Sequence, residues 1–155
     1  MGSIKLRNGR RRAEADAALD FMGVLWAVDH ALRSTSKGMN TRLGVTGPQR
    51  LVLRIVGKRP GISAGELAEA LHVHPSTLTG VLERLARRKL ILRGADPGDA
   101  RRTVLNLTPR GRDYDRVRAG TVEAAVLRML GSQQRQRVAV AREILDALVR
   151  ELQRA

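Results

Sequence analysis

Asp96-Pro97-Gly98-Asp99-Ala100-Arg101-Arg102-Thr103-Val104-Leu105-Asn106-Leu107-Thr108-Pro109-Arg110-Gly111 is the stretch that decides how this chain is read. Asp-Pro-Gly-Asp is turn chemistry: proline presets φ, glycine tolerates a positive φ, and aspartate bonds to nearby amides. Leu90-Ile91-Leu92-Arg93 before the turn and Thr103 to Leu107 after it are short, β-capable runs. The segment therefore predicts a β-hairpin with Arg101 and Arg102 just past its tip. Thr108-Pro109 predicts a helix start, because threonine caps and proline has no interior amide to lose at a first turn.

Working outward, the flanks are helical. Pro75 opens a segment in which Leu78, Val81, Leu82 and Leu85 recur at helical spacing to about Arg88. Before it, Ser63 with Glu66 three residues on is a capping box for a helix from about Ala64 to His72. Thr46 and Pro48 start another helix, with Leu51, Val52, Ile55 and Val56 on one face before Gly57. From Ala13 to about Arg33, the residues Ala17, Ala18, Phe21, Leu25, Val28 and Leu32 form one apolar stripe. Arg33 to Gly44, rich in Ser, Thr, Gly and Asn, predicts a loop. Beyond the hairpin a single helix is predicted from Pro109 to about Ser132, and a last one carries Val138, Ala141, Leu145, Leu148 and Leu152.

Composition narrows the function. The 155 residues suit one domain with its attachments, and 43% apolar content is enough for a core. No apolar run approaches the roughly 18 residues of a spanning helix, and nothing reads as a signal peptide, so a cytoplasmic protein with no membrane partner is expected. The absence of cysteine removes disulfides, thiolate nucleophiles and thiol redox sensing. With only Phe21, Trp26 and Tyr114 aromatic, a base-stacking platform for single strands is hard to assemble. The net charge of +14 still calls for a polyanion, and duplex DNA is the expected partner. That charge clusters. Residues 1–12 carry Lys5, Arg7, Arg10, Arg11 and Arg12 with no acid, and residues 84–102 carry seven cations against Asp96 and Asp99.

Helix, short helix, tight turn, helix and basic hairpin is the order of a winged helix-turn-helix, whose second helix enters the major groove. The fold class expected is mainly α with a small β element (α+β). His74, Ser76, Thr77 and Thr79 mark the start of the groove helix, where short polar side chains and the helix dipole suit base edges or phosphates. Arg84, Arg87 and Arg88 lie further along, toward flanking phosphates. Asp99 is expected to hold the wing loop, and Arg101 and Arg102 to enter a narrow minor groove.

The chain also resembles the MarR family of bacterial transcriptional regulators from Ala13 to Leu152. The most specific part is the wing segment quoted above: an aspartate two residues before an arginine, then a strand and a Leu-Thr-x-x-Gly helix start. Val45-Thr46-Gly47-Pro48-Gln49, Ser63-Ala64-Gly65-Glu66-Leu67-Ala68 and Ser76-Thr77-Leu78-Thr79 support it. The resemblance implies a homodimer joined by its N- and C-terminal helices, with one winged lobe per subunit reading a pseudo-palindrome, and repression relieved by a small ligand. It divides the chain into a basic arm (1–12), a dimerisation helix and loop (13–44), the winged lobe (45–108) and C-terminal dimerisation helices (109–155). Trp26, His30 and Arg50 are the candidate effector-lining residues. Lys89 stands where the family often has glycine, which implies a strained or different turn at the end of the groove helix, and Ala100 replaces a common wing arginine.

Other readings are weaker. Asp96 and Asp99 need no acid–base role in a turn, and no positioned base and nucleophile accompany them, so no enzyme is expected. His72 and His74 are two apart and His30 is distant, which favours polar or capping roles over a zinc site; no metal and no cofactor are expected. The alternative function is an architectural protein that coats duplex DNA through charge alone.

Overall fold

The computed structural model describes residues 2–96 and 98–154, with side chains from residue 12 onward, residue 100 excepted. Pro97 of the wing turn, the Ala100 side chain and the cations Lys5, Arg7, Arg10 and Arg11 lie outside the described residues. The order is α1 (Gly2–Leu43), α2 (Gly47–Lys58), β1 (Ile62–Ser63), α3 (Ala64–Ala70), α4 (Pro75–Arg87), β2 (Ile91–Asp96), β3 (Asp99–Leu107), α5 (Pro109–Arg116), α6 (Val122–Gly131) and α7 (Arg135–Leu152). The strands form one antiparallel sheet in the order β1-β3-β2, with Ile62 opposite Leu105 and Ile91 opposite Leu107.

The core lies between α2, α3, α4 and the root of the hairpin. Leu53, Leu67, Leu85, Leu90 and Leu105 are fully buried there, each contributing roughly 1.5–3 kcal/mol by leaving water. The predicted helix starts are present with their caps. Thr46 and Ser63 form complete capping boxes with Gln49 and Glu66, and Thr108 accepts from the Gly111 amide at 2.8 Å.

Three expectations are corrected. The helix expected to begin at Ala13 has helical backbone from Gly2. The loop expected at residues 33–44 is instead the last three turns of α1. Its Ser, Thr and Asn content is poor for a helix, but the apolar stripe continues into fully buried Met39, and Ser36 Oγ accepts from the Gly47 amide at 2.7 Å. Packing overrides propensity. The helix ends at Gly44, whose amide makes a last bond to the Asn40 carbonyl at 2.8 Å and whose φ of +68° then turns the chain out of the helix. The single helix expected from Pro109 to Ser132 is two, α5 and α6, broken between them at residues 117–121. There Gly120 has a φ of +67° and buried Thr121 recaps α6 by accepting from the Ala124 amide. Strand β1 is an addition, too short at two residues to leave a periodic signal.

Both helices of the central pair close with the same hydrogen-bond pattern, built on non-glycine residues. After α3, His72 has a φ of +52°, with its amide bonded to the Glu69 carbonyl and that of Val73 to Ala68. After α4, Lys89 has a φ of +55°, and the amides of Lys89 and Leu90 bond to the carbonyls of Ala86 (2.8 Å) and Leu85 (2.9 Å). This is the Schellman closure that glycine usually serves, so the lysine holds a left-handed conformation at a cost of roughly 1–2 kcal/mol. Thr108 then locks the turn by donating to the Lys89 carbonyl at 2.7 Å.

Lys89→Gly should stabilise the fold by roughly 0.5–1 kcal/mol after the glycine's greater unfolded-state entropy is counted, seen as a higher urea midpoint. Gly111→Ala should do the reverse. A Cβ there would lie 3.0 Å from the Leu90 carbonyl carbon and closer still to its oxygen, an overpacking that should cost about 2–3 kcal/mol in the same measurement.

Candidate nucleic-acid interface

The start of α4 is organised by His74. Its Nδ1 accepts from the Ser76 amide at 3.3 Å and lies 2.7 Å from Ser76 Oγ, so the ring is the N-cap. Pro75 follows at the first helical position. With Leu78, Leu82 and Leu85 turned into the core, the opposite face presents Ser76, Thr77, Thr79, Arg84 and Arg87, all exposed. Thr79 Oγ1 donates to the Pro75 carbonyl at 3.1 Å, and Arg84 Nε to that of Gly80 at 3.0 Å. Short polar groups therefore sit at the positive end of the helix dipole and long cations toward its other end.

The wing is built from its own aspartates. Asp96 Oδ1 accepts from the Gly98 amide at 2.8 Å and Asp99 Oδ1 from the Arg101 amide at 3.0 Å. Arg101 itself projects into solvent, its side chain 96% exposed with Nε 3.7 Å from Asp99. Arg102 is turned the other way. Its guanidinium meets Glu66 at 2.5 Å and Asp96 at 3.7 Å, strapping β3 to the first turn of α3.

Glu66 is the residue that reading the sequence did not assign to the site. Its place in a capping box was visible, but its second partner, 36 residues away, was not. The Ser63 amide, then the Ser63 hydroxyl and Arg102, hold the Glu66 carboxyl down at about 2 from an ordinary 4.5.

Arg88, grouped by the sequence with the phosphate-facing cations, is engaged inside the subunit, where it donates to the Gly44 carbonyl and to Tyr114 Oη at 3.4 Å. Arg50 is deeper still. Only 1% of its side chain is exposed, and it bonds to the carbonyls of Tyr114, Asp115 (3.2 Å) and Val117 and to Glu123 at 2.6 Å. Burial pushes the Glu123 carboxyl up, but hydrogen bonds from its own amide and from Arg50 outweigh that and hold it below the usual range. The other two effector candidates, Trp26 and His30, are exposed on α1, Trp26 at 80%. Surface hollows of about 540 Å³ beside α3 and about 490 Å³ beside the end of α2 are lined by none of the three.

With helix pair and wing in place, the comparisons become specific. Residues 45–103 match the model of the MarR family. The HTH-type transcriptional repressor Rv2887 of Mycobacterium tuberculosis is 32% identical over 115 residues, 74% of this chain and 81% of that repressor. The chain belongs to the MarR family. Solved MarR-type structures carry the same fold. The S. aureus MepR–DNA complex superposes with a TM-score of 0.68 at 19% identity, covering 85% of this chain and 97% of that one. CouR from Rhodococcus jostii RHA1, bound to p-coumaroyl-CoA, gives 0.68 at 22% identity, covering 84% and 92%. The architecture is thus the MarR winged helix-turn-helix with N- and C-terminal helices, in a family of transcriptional regulators rather than enzymes. No described helix is long and apolar enough to cross a membrane.

The Glu66 strap sets a pH dependence. Because the folded carboxyl titrates below its ordinary value, its contribution is fully present above about pH 4.5 and is lost as pH falls toward about 2. Urea midpoints of the wild type and Glu66→Gln should therefore converge as pH falls through that window and stay separated above it.

Proposed function

We propose that this protein is a cytoplasmic, homodimeric, sequence-specific DNA-binding repressor that reads a pseudo-palindromic operator and is released by a small ligand. The observation that carries the DNA reading is the pairing of an exposed, His74-capped helix start with a solvent-projecting Arg101 on a wing strapped beside it. In this reading Ser76, Thr77 and Thr79 meet base edges, Arg84 and Arg87 meet phosphates, and Arg101 enters the minor groove.

The dimeric reading is supported by what one subunit leaves uncovered. Phe21, Val28 and Leu32 on α1, Leu127 and Met129 on α6, and Ile144 and Leu145 on α7 are all exposed, and α6 and α7 bury no residue among those described. Apolar surface on that scale calls for a partner, and a second copy supplies the same helices with two-fold symmetry. Two winged lobes would then meet half-sites about one DNA turn apart. Ligand release is supported by the CouR structure with its bound p-coumaroyl-CoA. Without cysteine, an oxidative trigger through thiols is excluded for this chain.

The rival reading, a charge-driven architectural protein, separates by sequence preference. After selection of a preferred duplex from a random pool, binding to that duplex and to random duplex is compared across salt. A regulator retains a preference of about a thousandfold or more, whereas equal affinities would establish the architectural reading. Arg101→Ala should weaken binding to the selected duplex by about 1–3 kcal/mol without lowering the unfolding midpoint. Unchanged affinity at fixed salt would remove Arg101 from the interface.

A further inference from the structure

Arg88 is the C-cap of α4, and its contacts run to two other elements. One arm donates to the carbonyl of Gly44, the glycine that closes α1; the other reaches Tyr114 Oη on α5 at 3.4 Å. Its guanidinium carbon lies 5.8 Å from the Tyr114 ring centroid, within range of a cation–π contact. Tyr114 is gripped from its other end as well, since its carbonyl accepts from Arg50 of α2. The far end of the groove helix is thus pinned to the end of the long helix α1 and, through Tyr114, to α2 and α5.

The geometry of a lever gives this joint a consequence. A helix of 13 residues is roughly 20 Å long, so a 10° tilt about its pinned end moves the other end by about 3 Å, close to one base-pair rise. Ser76, Thr77 and Thr79 stand at that moving end.

We propose that Arg88 is a positioning residue that fixes the spacing of the half-sites the protein reads, by holding α4 at one angle to α1, and that it meets no phosphate. The proposal rests on the dimeric, two-half-site reading above. A phosphate contact and a positioning joint leave different signatures: the first contributes about one unit to the salt slope and is indifferent to spacing, while the second does the opposite.

The experiment uses the full chain and the duplex selected by the wild type, with versions whose half-sites are moved closer or apart by one base pair. Binding is followed by fluorescence anisotropy over a salt series for the wild type, Arg88→Ala, Arg88→Lys and Arg84→Ala. Arg88→Ala is expected to keep the wild-type salt slope and to lose at least about fivefold of the discrimination between spacings, the low end of ordinary coupling between sites. Arg88→Lys keeps a cation but not the forked grip, and is expected to behave the same way, which preserves the test if the alanine variant does not fold. Arg84→Ala should flatten the slope by about one and keep the spacing preference. If Arg88→Ala flattens the slope and keeps wild-type spacing preference, or if Arg88→Lys retains that preference in full, the proposal is overturned. A wild type with no spacing preference at all would overturn the two-half-site reading and this proposal with it.

Discussion

A guanidinium with 1% of its side chain exposed has no water to solvate it, and Arg50 is held by four protein acceptors instead. Burying an unpaired ion costs several kcal/mol even after relaxation, so each acceptor constrains the chain that supplies it. Three are carbonyls at the end of α5. A helix leaves its last carbonyls without intrahelical partners, and they carry the negative end of its dipole. The carbonyls of Tyr114, Asp115 and Val117 can turn to Arg50 because α5 stops at Arg116 and the backbone at Val117 is extended. The fourth acceptor, Glu123, stands in the first turn of α6, where a carboxylate suits the positive dipole end. The break between α5 and α6, which sets the course of the C-terminal helices, is thus coupled to one buried charge on α2.

The same device recurs at other joints. Arg118 donates to the Asp115 carbonyl, Arg42 to that of Gly120 at 2.6 Å, and Arg88 to that of Gly44. Arg54 adds an ion pair to Asp115 at 2.6 Å beside the Arg50 cluster. A chain with a net charge of +14 has a surplus of fork-shaped donors, and the fold uses several of them to satisfy backbone ends. Net charge therefore overstates what faces a polyanion: Arg84, Arg87 and Arg101 are exposed, whereas Arg50 and Arg88 are committed within the subunit.

This division explains what could be read from the sequence. Local signals were legible: the Thr46 cap, the Ser63 capping box, Pro75 and Pro109 at helix starts, and the Asp-Pro-Gly-Asp hairpin depend on neighbours within four residues. Lys89 in a glycine's place left a strained or a different turn open, and the structure has the strained one, a left-handed lysine in the usual closure. What failed depended on distant partners. Residues 34–43 look like a loop until Met39 finds a buried site and Ser36 finds the Gly47 amide. The stretch from Tyr114 to Met129 looks like one helix until Arg50, 64 residues before Tyr114, takes the carbonyls at its break. For the candidate site, Asp99 and Arg101 are legible because the bond between them is local, at a separation of two. Arg102 is not, because nothing near it announces Glu66.

The fastenings of the lobe also differ in strength, and the difference falls on the two elements that would approach DNA. The Glu66–Arg102 strap is about half exposed on both sides, and water screens an ion pair of that kind, so it holds weakly. The wing beyond it is a narrow ribbon with exposed residues at its tip. The groove helix, in contrast, has Leu78, Leu82 and Leu85 buried along its length and Arg88 bonded at its end. A loosely strapped wing can adjust to the width of a minor groove at little cost, since moving it breaks one exposed contact. Moving the groove helix means opening the core and uncoupling Arg88 from Gly44 and Tyr114 together. The chain thus pairs one compliant contact surface with one rigid surface, and it is the rigid one that is joined, through Arg88, Tyr114 and Arg50, to the helices outside the lobe.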